Sequence, residues 1–119
     1  MSNENLPNYE AIIIEMAVEN WRFFRLFARM AGKLDAGEAS KYISQLRYFQ
    51  KKIEDNLESI GLKAVNLEGQ LFDVGMAVVA INMDDFAPDD VLLIEQMVEP
   101  VIMGSEGVKR PGTVMVRKA

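Results

Sequence analysis

Residues 60–73, Ile-Gly-Leu-Lys-Ala-Val-Asn-Leu-Glu-Gly-Gln-Leu-Phe-Asp, mark the point at which the hydrophobic pattern of this chain changes. Before Gly61 the apolar residues recur every three or four positions, as in an amphipathic helix. After it they form short segments bounded by Gly, Pro or Asp, as in β-strands. The sequence therefore predicts an α+β fold, with a helical region at residues 1–60 and a small all-β domain at residues 61–119.

Two helices are predicted ahead of the change. The first runs from about Tyr9 to Ala31, and Gly32 is expected to end it in the left-handed conformation. Asp35 is the predicted N-cap of the second helix, which runs to about Ile60. Because only three or four residues link the helices, they are expected to form an antiparallel hairpin.

The second half of the chain predicts strands near residues 62–67, 76–83, 91–97 or beyond, and 113–117. Pro88 fixes its own φ angle, and Asp89 and Asp90 are expected to accept hydrogen bonds from nearby backbone N–H groups, which predicts a turn. Residues 104–107, Gly-Ser-Glu-Gly, are typical of a hairpin loop and are expected to join the last two strands.

The first helix is apolar over more than one face, which is more than its partner in a two-helix hairpin can cover. Leaving a large apolar side chain in water costs about 1.5–3 kcal/mol. Two hairpins packed as a four-helix bundle would cover both faces, so the sequence predicts a homodimer. Its predicted interface consists of Ile13, Trp21, Phe24, Phe27, Leu46, Phe49 and Ile53.

Composition narrows the classes of function. The chain has 119 residues, a net charge of −5, no Cys and no His. The acidic balance argues against a nucleic-acid partner. Without His or Cys the chain lacks the usual general base, a thiolate nucleophile and the commonest zinc ligands. With no glycine-rich phosphate loop either, we expect a protein that is not an enzyme and uses no cofactor and no metal. Since the sequence shows no signal peptide and no membrane span, the predicted location is the cytoplasm.

Two segments allow a second interpretation. Asp84, Asp85, Asp89 and Asp90 could bind calcium or magnesium, but the EF-hand spacing is missing and an acidic, solvated turn is preferred. Residues 21–27, Trp-Arg-Phe-Phe-Arg-Leu-Phe, could lie on a membrane surface. The glutamates of the same helix would be repelled by lipid headgroups, so burial in a helix–helix interface is preferred and no membrane partner is expected.

Four motifs occur in order along the chain. They are Ile60-Gly61-Leu62, Gly69-Gln70-Leu71-Phe72-Asp73, residues 84–91 (Asp-Asp-Phe-Ala-Pro-Asp-Asp-Val) and residues 110–118 (Arg-Pro-Gly-Thr-Val-Met-Val-Arg-Lys). Taken together, in this order, they resemble the C-terminal part of GrpE, the nucleotide exchange factor of DnaK-type chaperones.

The resemblance implies a homodimeric co-chaperone in protein folding. Its β domain would grip the nucleotide-binding domain of a DnaK-type chaperone, push one subdomain outward and release ADP. The contacts of the family carry over to Glu95, Met97, Arg110 and Val116. The chain departs from the family pattern near that surface, with residues 97–100 in place of a Lys-Gly-Tyr step. A second interpretation is therefore a dimeric adaptor that keeps the fold but has lost exchange activity or recognises another partner.

Overall fold

A computed structural model describes residues 8–119 and confirms an α+β architecture. Two helices precede six strands, and a short 3₁₀ turn lies at Met83–Asp85. The elements are α1 (Tyr9–Ala31), α2 (Ala36–Ser59), β1 (Lys63–Val65), β2 (Val78–Ala80), β3 (Leu92–Glu99), β4 (Val101–Gly104), β5 (Gly107–Arg110) and β6 (Gly112–Lys118). Between residues 8 and 119 there is no helix with the length and apolar character that crossing a membrane requires.

The connection between the two helices is a tight turn. The Asp35 carboxylate accepts a hydrogen bond from the Glu38 N–H at 3.0 Å, as predicted for the N-cap of α2. Gly32 is the C-cap of α1 as predicted, but the expected left-handed conformation was wrong, since its φ of −65° and ψ of −13° are right-handed. Lys33 and Leu34 donate their N–H groups to carbonyls three residues earlier, at 3.1 Å each. This tightening of the last turn satisfies the free carbonyls without a positive φ.

The helix α2 ends just before Gly61, close to the position predicted from the sequence. Gly61 has a φ of +78°, the left-handed region that favours glycine. Its N–H donates to the Glu58 carbonyl at 3.0 Å, and the Leu62 N–H donates to the Leu57 carbonyl at 2.9 Å. Leu57 and Leu62 also share one hydrophobic cluster. This pair of bonds and the apolar contact form a Schellman motif, which turns the chain out of α2 and into β1.

The β domain consists of two three-stranded sheets. In the first sheet the order is β1-β4-β5 and both pairs are antiparallel. In the second sheet the order is β2-β6-β3, with β2 parallel and β3 antiparallel to β6. Residues 104–107 form the predicted hairpin, but it joins β4 to β5 and not the last two strands. No separate strands were predicted for β4 and β5, because the loop at residues 104–107 was placed between longer strands on either side.

The interior contains two clusters of buried side chains. The first joins the helical hairpin to the first sheet through Ile14, Ala17, Val18, Leu57, Leu62 and Ile102. The second lies under the second sheet and contains Leu92, Ile94, Met97, Val101, Val114 and Val116. Trp21 of α1 packs against this second cluster. The helix α1 therefore contributes to both clusters, and the helical and β parts of the chain share their hydrophobic core.

Replacing Gly61 by Ala should lower the free energy of unfolding by about 1–2 kcal/mol, because an L residue is strained at positive φ. Apart from the neighbouring residues in the chain, no atom lies within 4 Å of the added Cβ. The loss of stability therefore comes from backbone strain and not from a steric clash. The matched control is Gly37→Ala in the first turn of α2, which should raise stability by about 0.5–1 kcal/mol. Urea unfolding at a fixed protein concentration measures both variants. Equal stability of Gly61→Ala and the wild-type chain would contradict the assignment of this helix end.

Candidate partner-binding surfaces

The strands β3 and β6 place alternate side chains on opposite sides of the second sheet. Ile94 lies opposite Val116 in the antiparallel register, and both are buried. Leu93 lies opposite Arg117, one residue away on each strand, and faces the other side. One side of the sheet therefore covers the second core cluster, and the other side faces outward.

A β-bulge interrupts β3 at Glu95. Ile94 pairs with Val116 and Gln96 pairs with Met115, so Glu95 is an extra residue in β3 with no partner of its own. Glu95 is exposed, and Met97 returns to the core with no exposed surface. The bulge thus keeps the apolar residues on both sides of it directed into the core while it presents a carboxylate to solvent.

Two of the four predicted contact residues lie inside the domain. Met97 is 0% and Val116 is 1% exposed, so neither side chain can contact a partner while the domain is folded. The Asn82 side chain holds the Val116 backbone, because it accepts from the N–H at 2.9 Å and donates to the carbonyl at 2.8 Å. The resemblance identified strands next to an open surface but placed these two residues on the wrong side. A shift of one position along a strand exchanges its two faces.

The open side of the second sheet carries both apolar and polar side chains. We call it the outer face and define it by strand alternation and register as Leu71, Val79, Val91, Leu93, Glu95, Gln96, Thr113, Met115 and Arg117. Leu71 belongs to it because it forms a bridge with Leu93. Val79 is 60% exposed, and Leu71 and Val91 are exposed to a similar degree. A patch of several apolar side chains with a charged edge is typical of a protein-binding site.

Arg110, the remaining predicted contact residue, is bound within the chain. Its guanidinium lies 2.7 Å from the Glu15 carboxylate of α1 and 3.8 Å from that of Glu99. Arg22 of α1 approaches the same Glu99 at 3.7 Å. These contacts form an ionic network between α1 and the β domain. Each of them is partly exposed and contributes modestly to stability.

The predicted dimer residues are divided among several environments. The indole N–H of Trp21 donates to the Met97 carbonyl at 3.0 Å, so Trp21 is covered by the β domain of its own chain. Ile53 packs against the first core cluster. Phe24, Phe27 and Leu46 are half-buried, whereas Ile13 and Phe49 are exposed. Trp21 and Ile53 are therefore half-buried by contacts within their own chain, and their contact with a second chain stays a prediction.

The most continuous exposed apolar surface lies on the opposite side of α1. We call it the α1 stripe and define it as Ile12, Met16, Glu19, Phe23, Leu26 and Met30. Its positions are separated by steps of four, three, four, three and four residues, the spacing of a coiled-coil seam. Its five apolar members are 50% to 67% exposed. The spacing of the stripe is present in the sequence, but Glu19 interrupts its apolar pattern. In addition, apolar residues occur all around α1, which made its two separate apolar faces difficult to distinguish.

Two charged side chains outside this network, Asp90 and Arg25, interact with nearby groups. Asp90 of the acidic turn accepts a hydrogen bond from the Ala87 N–H at 2.9 Å, as the turn prediction required. Burial lowers the pKa of Arg25 from its ordinary value, and nearby Glu68 partly opposes that effect. In the region from residue 8 to 119, no group of three or more acidic side chains is placed to hold a metal ion.

Comparison with known protein families, curated proteins and solved structures finds no match to this chain. The outer face of the second sheet and the α1 stripe are therefore the features from which function is inferred. Both carry accessible apolar side chains, and they lie on different elements.

The two sides of the second sheet should respond differently to the same change. Val116→Asp buries a charge among apolar side chains and should lower the free energy of unfolding by about 3 kcal/mol or more. Val79→Asp on the outer face should lower it by about 1 kcal/mol or less. Thermal melts followed by circular dichroism compare the two variants. A well-folded Val116→Asp protein, or an unfolded Val79→Asp protein, would reverse the assignment of the faces.

Proposed function

We propose that this chain is a homodimeric, GrpE-like nucleotide exchange factor that promotes ADP release from a DnaK-type chaperone. The observation that carries the proposal is the position in the β domain of the motifs that resemble GrpE. Gly69 donates its N–H to the Ile94 carbonyl at 2.8 Å, and Phe72 donates to the Leu92 carbonyl at 2.8 Å. The acidic turn at residues 84–91 leads directly into β3, and residues 112–118 form β6. Residues 110–118 thus supply β6 of the second sheet, and two further motifs border the same sheet, whose outer face is open.

The proposed mechanism is a shift of population. The outer face would bind the open form of the chaperone ATPase more tightly than the closed form. That difference in affinity would lower the affinity of the chaperone for ADP by the same factor. The exchange factor itself needs no nucleotide site for this task.

The outer face has the composition that such a contact requires. Val79, Leu93 and Met115 supply apolar side chains, and Glu95 and Arg117 supply charges beside them. Binding energy in protein interfaces is usually concentrated in a few central residues with a polar rim. Met97 and Val116 would support this surface from beneath and would not contact the partner.

The second candidate is a dimeric adaptor with the same fold and a different partner. It is favoured by the position of Arg110, the second accessible residue that the resemblance implies. Its guanidinium is already bound to Glu15 at 2.7 Å. A chaperone contact through Arg110 would have to compete with this ion pair.

Dimerisation through the helical region is part of the proposal. The α1 stripe leaves five large apolar side chains in contact with water. The Cα radius of gyration is 16.8 Å, whereas a compact chain of this length has about 13–14 Å. Both observations support a chain that completes its packing with a second copy, in the proposed four-helix bundle.

Light scattering at micromolar concentration should give a mass of twice 13.4 kDa. Phe23→Asp places a charge in the α1 stripe and should shift the protein toward the monomer. The matched control is Tyr48→Asp, on the side of α2 that faces away from α1, which should leave the mass unchanged. A monomeric wild-type chain would remove dimerisation from the proposal.

The exchange activity should depend on the outer face. The wild-type protein should accelerate release of a fluorescent ADP analogue from the DnaK-type chaperone of its own organism, measured by stopped flow. Val79→Asp should weaken chaperone binding by about 1–3 kcal/mol, with a corresponding loss of acceleration. The matched control is Val108→Asp on β5 of the first sheet, which is also exposed and should change binding little.

Two outcomes would contradict parts of this proposal. If the wild-type protein accelerates ADP release from no DnaK-type chaperone of its organism, the adaptor function is favoured. If Val79→Asp stays folded and accelerates release as well as Val108→Asp, exchange does not use the outer face.

A further inference from the structure

The α1 helix has an uneven distribution of charge along its length. Its N-terminal half carries three acidic residues, Glu10, Glu15 and Glu19, and no basic residue. Its C-terminal half carries Arg22, Arg25 and Arg29 and no acidic residue. The α1 stripe runs through both halves, so any second helix that covers it meets an acidic end and a basic end.

We propose that the α1 stripe is covered by α1 of a second copy of this chain, running antiparallel, with the twofold axis level with residue 21. This inference rests on the dimerisation in the proposed function and specifies how the two chains meet. It does not depend on the identity of the protein that the β domain binds.

The spacing of the stripe is compatible with this arrangement. The sequence of steps 4-3-4-3-4 is the same from either end of the helix, so the stripe matches its own reverse. In the antiparallel register Ile12 lies level with Met30 of the second copy, Met16 with Leu26, and Glu19 with Phe23. Every large apolar side chain of the stripe then packs at the seam, as in a coiled coil. A parallel pair would also align the stripe, so the apolar pattern alone does not set the direction.

The charges beside the stripe set the direction. Glu15, Arg22 and Arg29 are separated by seven residues and therefore share one flank of α1. In the antiparallel register Glu15 of one chain, which also contacts Arg110 of its own chain at 2.7 Å, lies within about 3 Å, along the axis, of Arg29 of the other. The twofold axis creates this pair twice. A parallel pair would instead bring this flank against the opposite flank of the other helix, so that Arg22 would lie near Phe27 and no Glu15–Arg29 pair would form.

The surroundings of these residues can accept the second chain. A groove of about 440 Å³ lies beside the stripe and is lined by Glu19, Arg22, Phe23, Arg25, Leu26, Arg29 and Val98. It is the place where the acidic half of the second helix would lie. Glu19, the polar member of the stripe, is already 3.5 Å from Arg22 of its own chain. This pairing lowers the cost of placing its carboxylate at the seam.

The opposite flank of the stripe is apolar. Ile13, which is exposed, and Phe27, which is half-buried, lie on it at a separation of 14 residues, two coiled-coil repeats. In the antiparallel register Ile13 of one chain approaches Phe27 of the other. The proposed interface therefore combines an apolar seam, an ionic flank and an apolar flank.

Single cysteines test the direction, because the chain contains no Cys. Ile12→Cys and Met30→Cys proteins are prepared separately and also refolded together, and each sample is treated with a short bis-maleimide. The antiparallel arrangement predicts a covalent dimer in the mixture and almost none in either variant alone, since residues 30 of the two chains lie about 27 Å apart along the axis. A parallel arrangement predicts efficient crosslinking of each variant alone, and this result would overturn the proposal.

Charge reversal provides a second measurement. In the antiparallel dimer Arg29→Glu creates two repulsive pairs with Glu15 and should weaken dimerisation about tenfold, whereas Arg29→Lys should change it little. Equal dimerisation constants for Arg29→Glu and the wild-type chain would also overturn the proposal.

Failure of this inference can be separated from failure of the proposed function. A monomeric mass in light scattering would contradict dimerisation, on which both the proposed function and this inference rest. A dimer in which each cysteine variant crosslinks alone would contradict only the antiparallel direction. The ADP-release measurement is unaffected by which of these outcomes is found.

Discussion

The burial of α1 between two different surfaces is the constraint on which the rest of this structure depends. Val18 has no exposed surface and lies in the cluster shared by the helices and the first sheet. Three residues later, Trp21 reaches the second sheet and donates its indole N–H to the Met97 carbonyl. Because one helix contributes to both clusters, the position of the hairpin fixes the position of the β domain. The side of α1 that remains is available for contact with another chain.

The two-residue period of the strands determines which side chains can have a function in the second sheet. Val114 and Val116 complete the core, so only their neighbours Met115 and Arg117 can meet a partner. The bulge at Glu95 makes this separation possible on β3, since an uninterrupted alternation from Ile94 would point Met97 outward. The same motifs thus serve two purposes: half of their residues build the sheet, and the other half form its open side.

The sequence predicted the helices well because their signals are local. The ends of α1 and α2 are close to the predicted positions, and Asp35 and Gly61 act as the residue types imply. Gly32 was misjudged because a short turn can also end a helix without a left-handed residue. The strands β4 and β5 were missed, since the hairpin loop at residues 104–107 was predicted to join the strands before and after them.

The candidate surfaces were predicted less well because they depend on contacts between distant parts of the chain. Nothing near Trp21 in the sequence shows that a β domain covers it. The inward direction of Val116 follows from its register with Ile94, which local sequence does not specify. By contrast, the spacing of the α1 stripe is visible in the sequence once Glu19 is accepted as one of its positions.

The shared core has a consequence for a dimer of this chain. Only Ile60 and Gly61 separate the last residue of α2 from Leu62, which is buried, so no flexible tether lies between helices and sheets. In a twofold dimer the two outer faces would therefore be held at a fixed distance and angle from each other. Whether one large partner or two can occupy them at once would be decided by this geometry and not by the affinity of either face. A bivalent ligand would gain avidity only if its own spacing matched that distance.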